Sequence, residues 1–173
     1  MKKIILSSTI ACALVLACKP SNTQTNSVSL QLEAKSNSNV KGTATFTEKN
    51  GVVTMTASVS GLKPGVHAIH IHEKADCSTG DATSAGGHWN PTHVQHGKWG
   101  DNAHHKGDIG NFTADNQGEA TVTFATDQWC IGCGDATKDI LNKGLIVHDK
   151  ADDFVTQPTG NAGGRIACAG IIK

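Results

Sequence analysis

Two histidines one residue apart, His70 and His72, stand in the apolar run Val66-His67-Ala68-Ile69-His70-Ile71-His72 and constrain the chain more than any other feature. Side chains alternate across a strand, so in extended backbone both imidazoles project from the same face. Neutral imidazole is the commonest metal ligand among side chains, and it offers a basic nitrogen at ordinary pH. Further candidates follow: His88, His96, His105 and Asp108 across a glycine-rich stretch, then His148 closing a second apolar run, Gly144-Leu145-Ile146-Val147-His148.

The rest of the chain alternates with a period of two. Val28, Leu30, Leu32 and Ala34 share one face, followed by Val40, Ala44 and Phe46. Asn50-Gly51 predicts a hairpin turn, since both residues tolerate positive φ. Val53, Met55, Ala57 and Val59 predict the returning strand, and the histidine strand comes next. Ala120, Val122 and Phe124 mark another strand, with Leu145 to His148 and Ile166 to Ile172 as the last two. Apart from one turn near Ala136 to Leu141, no stretch reads as an amphipathic helix. Short antiparallel strands with one buried face predict an all-β sandwich or flattened barrel. Two long loops remain, 73–110 and 126–143. Loops of that length are normally functional or disordered, and the first holds four of the seven candidate ligands.

The first residues follow a secretory pattern, with Lys2 and Lys3 before an apolar stretch from Ile4 to Leu16 that is too short to span a membrane. Leu14-Val15-Leu16-Ala17-Cys18 resembles a bacterial lipoprotein cleavage site, which makes 1–17 the signal peptide and Cys18 the lipidated first residue. An ordinary signal peptide is the alternative. Residues 18–27 read as a flexible tether and 28–173 as the domain. Without Lys2 and Lys3, basic residues number 13 against 15 acidic, which gives no basic face for nucleic acid. Export leaves Cys77, Cys130, Cys133 and Cys168, an even number that in an oxidising compartment reads as disulfides. Of three pairings, the short Cys130-Ile131-Gly132-Cys133 spacing favours a local pair and leaves Cys77 with Cys168. A redox or accessory metal role for Cys130 and Cys133 is the alternative.

Three histidines and a carboxylate make a tetrahedral zinc set with no open position, whereas four histidines suit copper. His67 lies on the strand face opposite His70 and His72, and His67 and His93 read as structural or surface groups. His104 rivals His105, and spacing alone does not separate them.

Five segments then carry a family resemblance: His70-Ile71-His72-Glu73; Ser84-Ala85-Gly86-Gly87-His88-Trp89-Asn90-Pro91; His105-Lys106-Gly107-Asp108-Ile109-Gly110-Asn111; Val147-His148-Asp149-Lys150-Ala151-Asp152-Asp153; and Gly160-Asn161-Ala162-Gly163-Gly164-Arg165-Ile166-Ala167-Cys168. From Val28 onward the chain strongly resembles the copper,zinc superoxide dismutases, which implies an all-β Greek-key sandwich or flattened barrel of immunoglobulin-like type with two long functional loops. The resemblance implies copper on His70, His72, His88 and His148, and zinc on His88, His96, His105 and Asp108, with His88 bridging. It selects His105 over His104. It makes Asp152 a carboxylate joining a copper histidine to a zinc histidine, and Arg165 the substrate-guiding arginine. The implied reaction converts superoxide to dioxygen and hydrogen peroxide, with His88 accepting and returning a proton. Lys150 matches a common position of the family, but Phe154-Val155-Thr156-Gln157-Pro158 lacks a lysine that some relatives carry, so Arg165 and Lys150 supply most of the local positive charge. A copper-buffering relative would lack a copper ligand or the arginine, and a copper-only relative would lack His96, His105 or Asp108; all are present. The resemblance accommodates a monomer or a homodimer. The N-terminal pattern places the chain in a bacterial envelope or periplasm, touching membrane only through a lipid on Cys18.

Overall fold

Alternating valine, leucine, threonine and serine residues make extended backbone with one face to bury, and eight antiparallel strands result among the described residues. The computed structural model describes residues 25–173; the signal peptide, Cys12, Cys18 and the tether as far as residue 24 lie outside the described residues. Strands β1 (Asn26–Ala34), β2 (Lys41–Lys49) and β3 (Val52–Ser60) form a meander. Its β2–β3 turn is the expected Asn50-Gly51, with φ of 53° and 77°. The first strand starts at Asn26, inside the segment assigned to the tether. Next come β4 (Gly65–His72), β5 (Gly110–Ala114), β6 (Ala120–Thr126), β7 (Gly144–His148) and β8 (Arg165–Gly170).

The strand order is β5-β4-β7-β8-β1-β2-β3-β6. One half is β1-β2-β3-β6 and the other β8-β7-β4-β5, joined where Glu33 and Ala34 pair with Cys168 and Ala167. The β3–β4 and β6–β7 connections each cross between halves, which is the Greek-key pattern. The outermost strands β5 and β6 approach each other, so the sheet is a nearly closed, flattened barrel, as expected.

Between the halves lies a core of Leu30, Phe46, Met55, Ala57, Ile69, Ile71, Leu145 and Val147, all at or near zero exposure. The second half is buried on its outer face as well: every residue of β7 and the last six of β4 are buried. Alternation puts Ile69, Ile71, Leu145 and Val147 inward and His70, His72, Ile146 and His148 outward. The first long loop folds over that outer face, and Ala82 and Ala85 pack on Ile146 and Cys168 to form a second small core. Cys77–Cys168 ties this loop to β8.

Two expectations needed adjustment. The segment from Gly110 to Ala114 is a strand rather than a bare link, and the last strand ends at Gly170 rather than Ile172; the stretch at Ala136 to Leu141 makes the expected turn and a bridge from Asp139 to Cys130. Within the described residues the sole helical element is a 3-10 turn at Thr83–Ala85.

The Cys77–Cys168 bond spans a sequence separation of 91 residues, which in the chain-entropy picture is worth on the order of 4–5 kcal/mol, with measured values often lower. A Cys77→Ser/Cys168→Ser variant is expected to lose about 2–5 kcal/mol in denaturant unfolding. A midpoint unchanged from that of the parent would show that the loop is held by packing alone.

Candidate metal centre

The site is built on the covered face of β4 and β7. His70 and His72 leave β4 on that face, and opposite them on β7 stand Ile146 and Gly144. A Cβ at Gly144 would press against the Lys74 carbonyl, so a side-chain-free residue lets the loop lie close to His72. His88 enters from the first loop, which continues the sheet: Trp89 N–H donates to Ile71 O (2.8 Å), Ile71 N–H to Gly107 O (2.9 Å) and Gly107 N–H to Trp89 O (3.0 Å). Gly107 is needed for that approach, because a Cβ there would strike the Ile71 carbonyl.

His148 sits at an irregularity. Val147 pairs with Ala167, but His148 pairs with Arg165, leaving Ile166 as an extra residue. Plain alternation from inward-facing Ala167 would send Ile166 out and Arg165 into the core. The bulge reverses this, as bulges next to functional sites do. Ile166 packs against the main core, and Arg165 reaches the loop side, where Nη1 donates to Ala82 O (2.6 Å) and Nη2 to Gly86 O (2.8 Å).

Two buried groups of potential ligands result: His70, His72, His88 and His148, and His88, His96, His105 and Asp108. In each group the donor atoms lie within 4.8 Å of one another, and His88 belongs to both. His105, not His104, joins the second group; the His104 ring instead lies 4.7 Å from that of Trp99. His93 is exposed. His67 points the other way, with Nδ1 against His148 O (2.9 Å) and Nε2 against Lys63 O (2.8 Å).

Most rings are anchored through one nitrogen, which aims the other. His72 Nδ1 meets Gly86 O at 2.9 Å, and its Nε2 faces His148 Nε2 at 3.4 Å. His70 Nε2 meets Asp152 Oδ2 at 2.9 Å, leaving buried Nδ1 without a partner. His88 Nδ1 lies 2.8 Å from Asp108 Oδ1, and its Nε2 is likewise unpartnered. His96 and His105 turn their Nε2 atoms to Asp152 Oδ1 (2.9 Å) and Val94 O (3.2 Å). Their Nδ1 atoms lie 3.0 and 3.2 Å from Asp108, neither making a hydrogen bond. Buried polar atoms are nearly always satisfied, so four orphaned ring nitrogens in two clusters fit metal ligation.

Asp152 spans the two groups through His70 and His96. Asn111 fixes it, donating from Nδ2 to Asp152 O (2.8 Å) while Oδ1 accepts Asp152 N–H (2.7 Å). Gln157 grips the His96 backbone in the same reciprocal way, at 2.8 and 2.9 Å. Gly160, at φ 63°, passes so close that a Cβ would collide with Asp152 and His96. Sequence reasoning missed Asn111 and Gln157 as supports. Their amides carry no spacing signal, since each acts on backbone far away in the chain.

Electrostatics follow from the burial. Burial and neighbouring imidazoles hold His72 and His148 well below the ordinary value, and burial takes His88 down to about 4. Burial also lowers His96, but the Asp108 carboxylate beside Nδ1 and the bond to Asp152 outweigh it and raise this group to about 9. Asp108 and Asp152 would be raised by burial, yet their histidine partners keep both well below the carboxylate range.

A family model described as copper/zinc superoxide dismutase matches residues 40–171, well over half of the chain and a range that includes all seven candidate ligands.

These shifts predict a stability optimum for the metal-free protein. For His72, His88 and His148 the folded value is below the unfolded 6.5, so the unfolded chain binds more protons and stability falls as pH drops from about 6.5 through about 4. Asp108 and Asp152, depressed in the fold, add to the loss in acid. His96 works oppositely: its contribution is complete below about 6.5 and disappears as pH rises through about 9. The melting temperature of the metal-free protein should therefore peak near pH 6.5. A value that climbs steadily to pH 9 would contradict the assignment.

Proposed function

The chain belongs to the copper/zinc superoxide dismutases, and from that premise we propose how its residues divide the work. It is an oxidoreductase that takes superoxide as substrate and uses copper and zinc. The observation that carries the division is the pair of four-residue groups sharing His88.

His70, His72, His88 and His148 would hold copper, an all-imidazole set suited to a metal that changes oxidation state. His96, His105 and Asp108, with Nδ1 of His88, would hold zinc in a closed tetrahedral set, which is a structural role. Copper, when bound, supplies the one-electron exchange by which one superoxide becomes dioxygen and another becomes hydrogen peroxide. The remaining tasks fall to protein groups. His88 carries the proton at Nε2, the buried ring nitrogen that no protein group engages. Arg165 attracts the anion, its guanidinium held in place by the Ala82 and Gly86 carbonyls. The same Gly86 carbonyl aims His72, so the arginine and one ligand share an anchor. Asp152 is a positioning residue that sets the ring orientation of His70 and His96 together. Exposed Lys150 adds to the field that draws superoxide in.

We also place the enzyme in a bacterial cell envelope, exported by its N-terminal segment and held to membrane by a lipid on Cys18. Two disulfides in the domain support an oxidising compartment.

Metal analysis with a superoxide-consumption assay tests the division. One copper and one zinc per chain are expected, with roughly a hundredfold loss of activity or more in His148→Ala. Arg165→Gln should lose about tenfold and flatten the dependence on ionic strength. Full metallation without activity, or an active His148→Ala variant, would overturn it. For the anchor, protein from a bacterial host should sediment with membranes and carry acyl mass on Cys18, and Cys18→Ser should release it. Parent protein that is soluble and unacylated rules the anchor out.

A further inference from the structure

Among the described residues, one cluster lies outside the histidine groups. Cys130, Cys133 and Asp139 bring two sulfurs and a carboxylate oxygen within 4.8 Å of one another. The local fold accounts for this. Cys130 N–H donates to Lys138 O (2.9 Å) and Ile140 N–H to Cys130 O (3.1 Å), a bridge that sets Cys130 beside Asp139. Gly132, at φ 75°, turns the chain so that Cys133 comes back to the same point. The Asp139 carboxylate is aimed by three backbone donors: Gly132 N–H and Gly134 N–H at 2.9 Å each, and Leu141 N–H at 3.1 Å. Those bonds, after the opposing effect of burial, also hold Asp139 below its ordinary value, so it is a ready anionic ligand.

The two cysteines are joined as a disulfide, with Cys133 exposed, Cys130 buried and open space beside Gly134. That bond closes a sequence separation of only 3, so the chain-entropy picture assigns it a smaller share of stability than Cys77–Cys168. Three donors of mixed sulfur and oxygen type, held by a rigid backbone and open on one side, are more than such a small staple needs.

We propose that Cys130, Cys133 and Asp139 form a redox-gated site for a thiophilic cation, a zinc-group divalent ion or cuprous copper. In the oxidised protein the sulfurs are bonded to each other and the site is shut. A dithiol reductant opens it: its two thiols become one disulfide while the Cys130–Cys133 bond becomes two thiols, with two electrons and two protons passing to the protein. A divalent cation then binds both sulfurs as thiolates and releases the two protons to solvent. Asp139 supplies the third ligand, and solvent the fourth position of a tetrahedral set. The C-x2-C spacing is one that presents two sulfurs to one metal.

The test uses the copper- and zinc-loaded protein, reduced with dithiothreitol, desalted without oxygen and titrated with cadmium. Thiolate-to-cadmium absorption reports sulfur ligation specifically, so exchange at the histidine groups does not register, and the readout is independent of superoxide consumption. Saturation at one cadmium per chain is expected in the reduced parent, with no such absorption in the oxidised parent. None is expected in a reduced Cys130→Ser/Cys133→Ser variant, which also controls for thiols released from Cys77 and Cys168. Asp139→Asn should bind roughly tenfold more weakly. Absence of the band in the reduced parent, its persistence in the double variant, or equal affinity in Asp139→Asn would each overturn the proposal.

Discussion

An imidazole fixed at one nitrogen can present the other in only one direction, and this centre depends on that constraint. His70, His72, His96 and His105 are each held through one nitrogen by Asp152, Gly86 O or Val94 O, and His88 by Asp108. Burial keeps competing water out and disfavours protonation at His72, His88 and His148, so those rings are ready to ligate without losing a proton first. The two carboxylates balance the arrangement electrostatically. They remain ionised in a dry region because imidazole and backbone donors surround them, and they lift His96 in turn.

The barrel supplies the platform for this. A sheet with one solvated face would leave His70 and His72 in water. Here the first loop covers that face, anchored by the Cys77–Cys168 bond, the small core around Ile146 and the backbone ladder from Ile71 through Trp89 and Gly107. Glycine is decisive where these layers meet: Gly107 and Gly160 lie against a carbonyl and a carboxylate at distances that no Cβ fits. The loop is therefore part of the fold, and the candidate ligands it carries are positioned as firmly as those on strands.

Much of this was legible in the residues. The i, i+2 pair at His70 and His72 announced a shared strand face, Asn50-Gly51 gave its turn, and alternation in β1, β3 and β6 marked which side is buried. What stayed hidden has physical causes. The Gly-Asn-Phe-Thr-Ala of β5 has one large apolar residue, Phe112, too little to show a period. Covering of the outer face by a loop is a tertiary event that makes β7 read as a plain apolar run. Asn111 and Gln157 each act through a reciprocal pair of side-chain bonds to backbone 41 and 61 residues away, which no local pattern encodes.

The bulge at Ile166 bears on how such a chain can change over time. Arg165 faces the site only because one more residue lies on β8 than its partner strand requires. The stretch between Gly163 and Cys168 is therefore constrained in register more strictly than in composition. A swap of Ile166 for another apolar residue leaves the pairing intact, whereas a slip that set Ile166 opposite His148 would turn the guanidinium toward the barrel interior. Drift at this edge of the site can proceed by substitution as long as Ile166 stays the unpaired residue, a restriction set by the arithmetic of strand pairing and independent of metal chemistry.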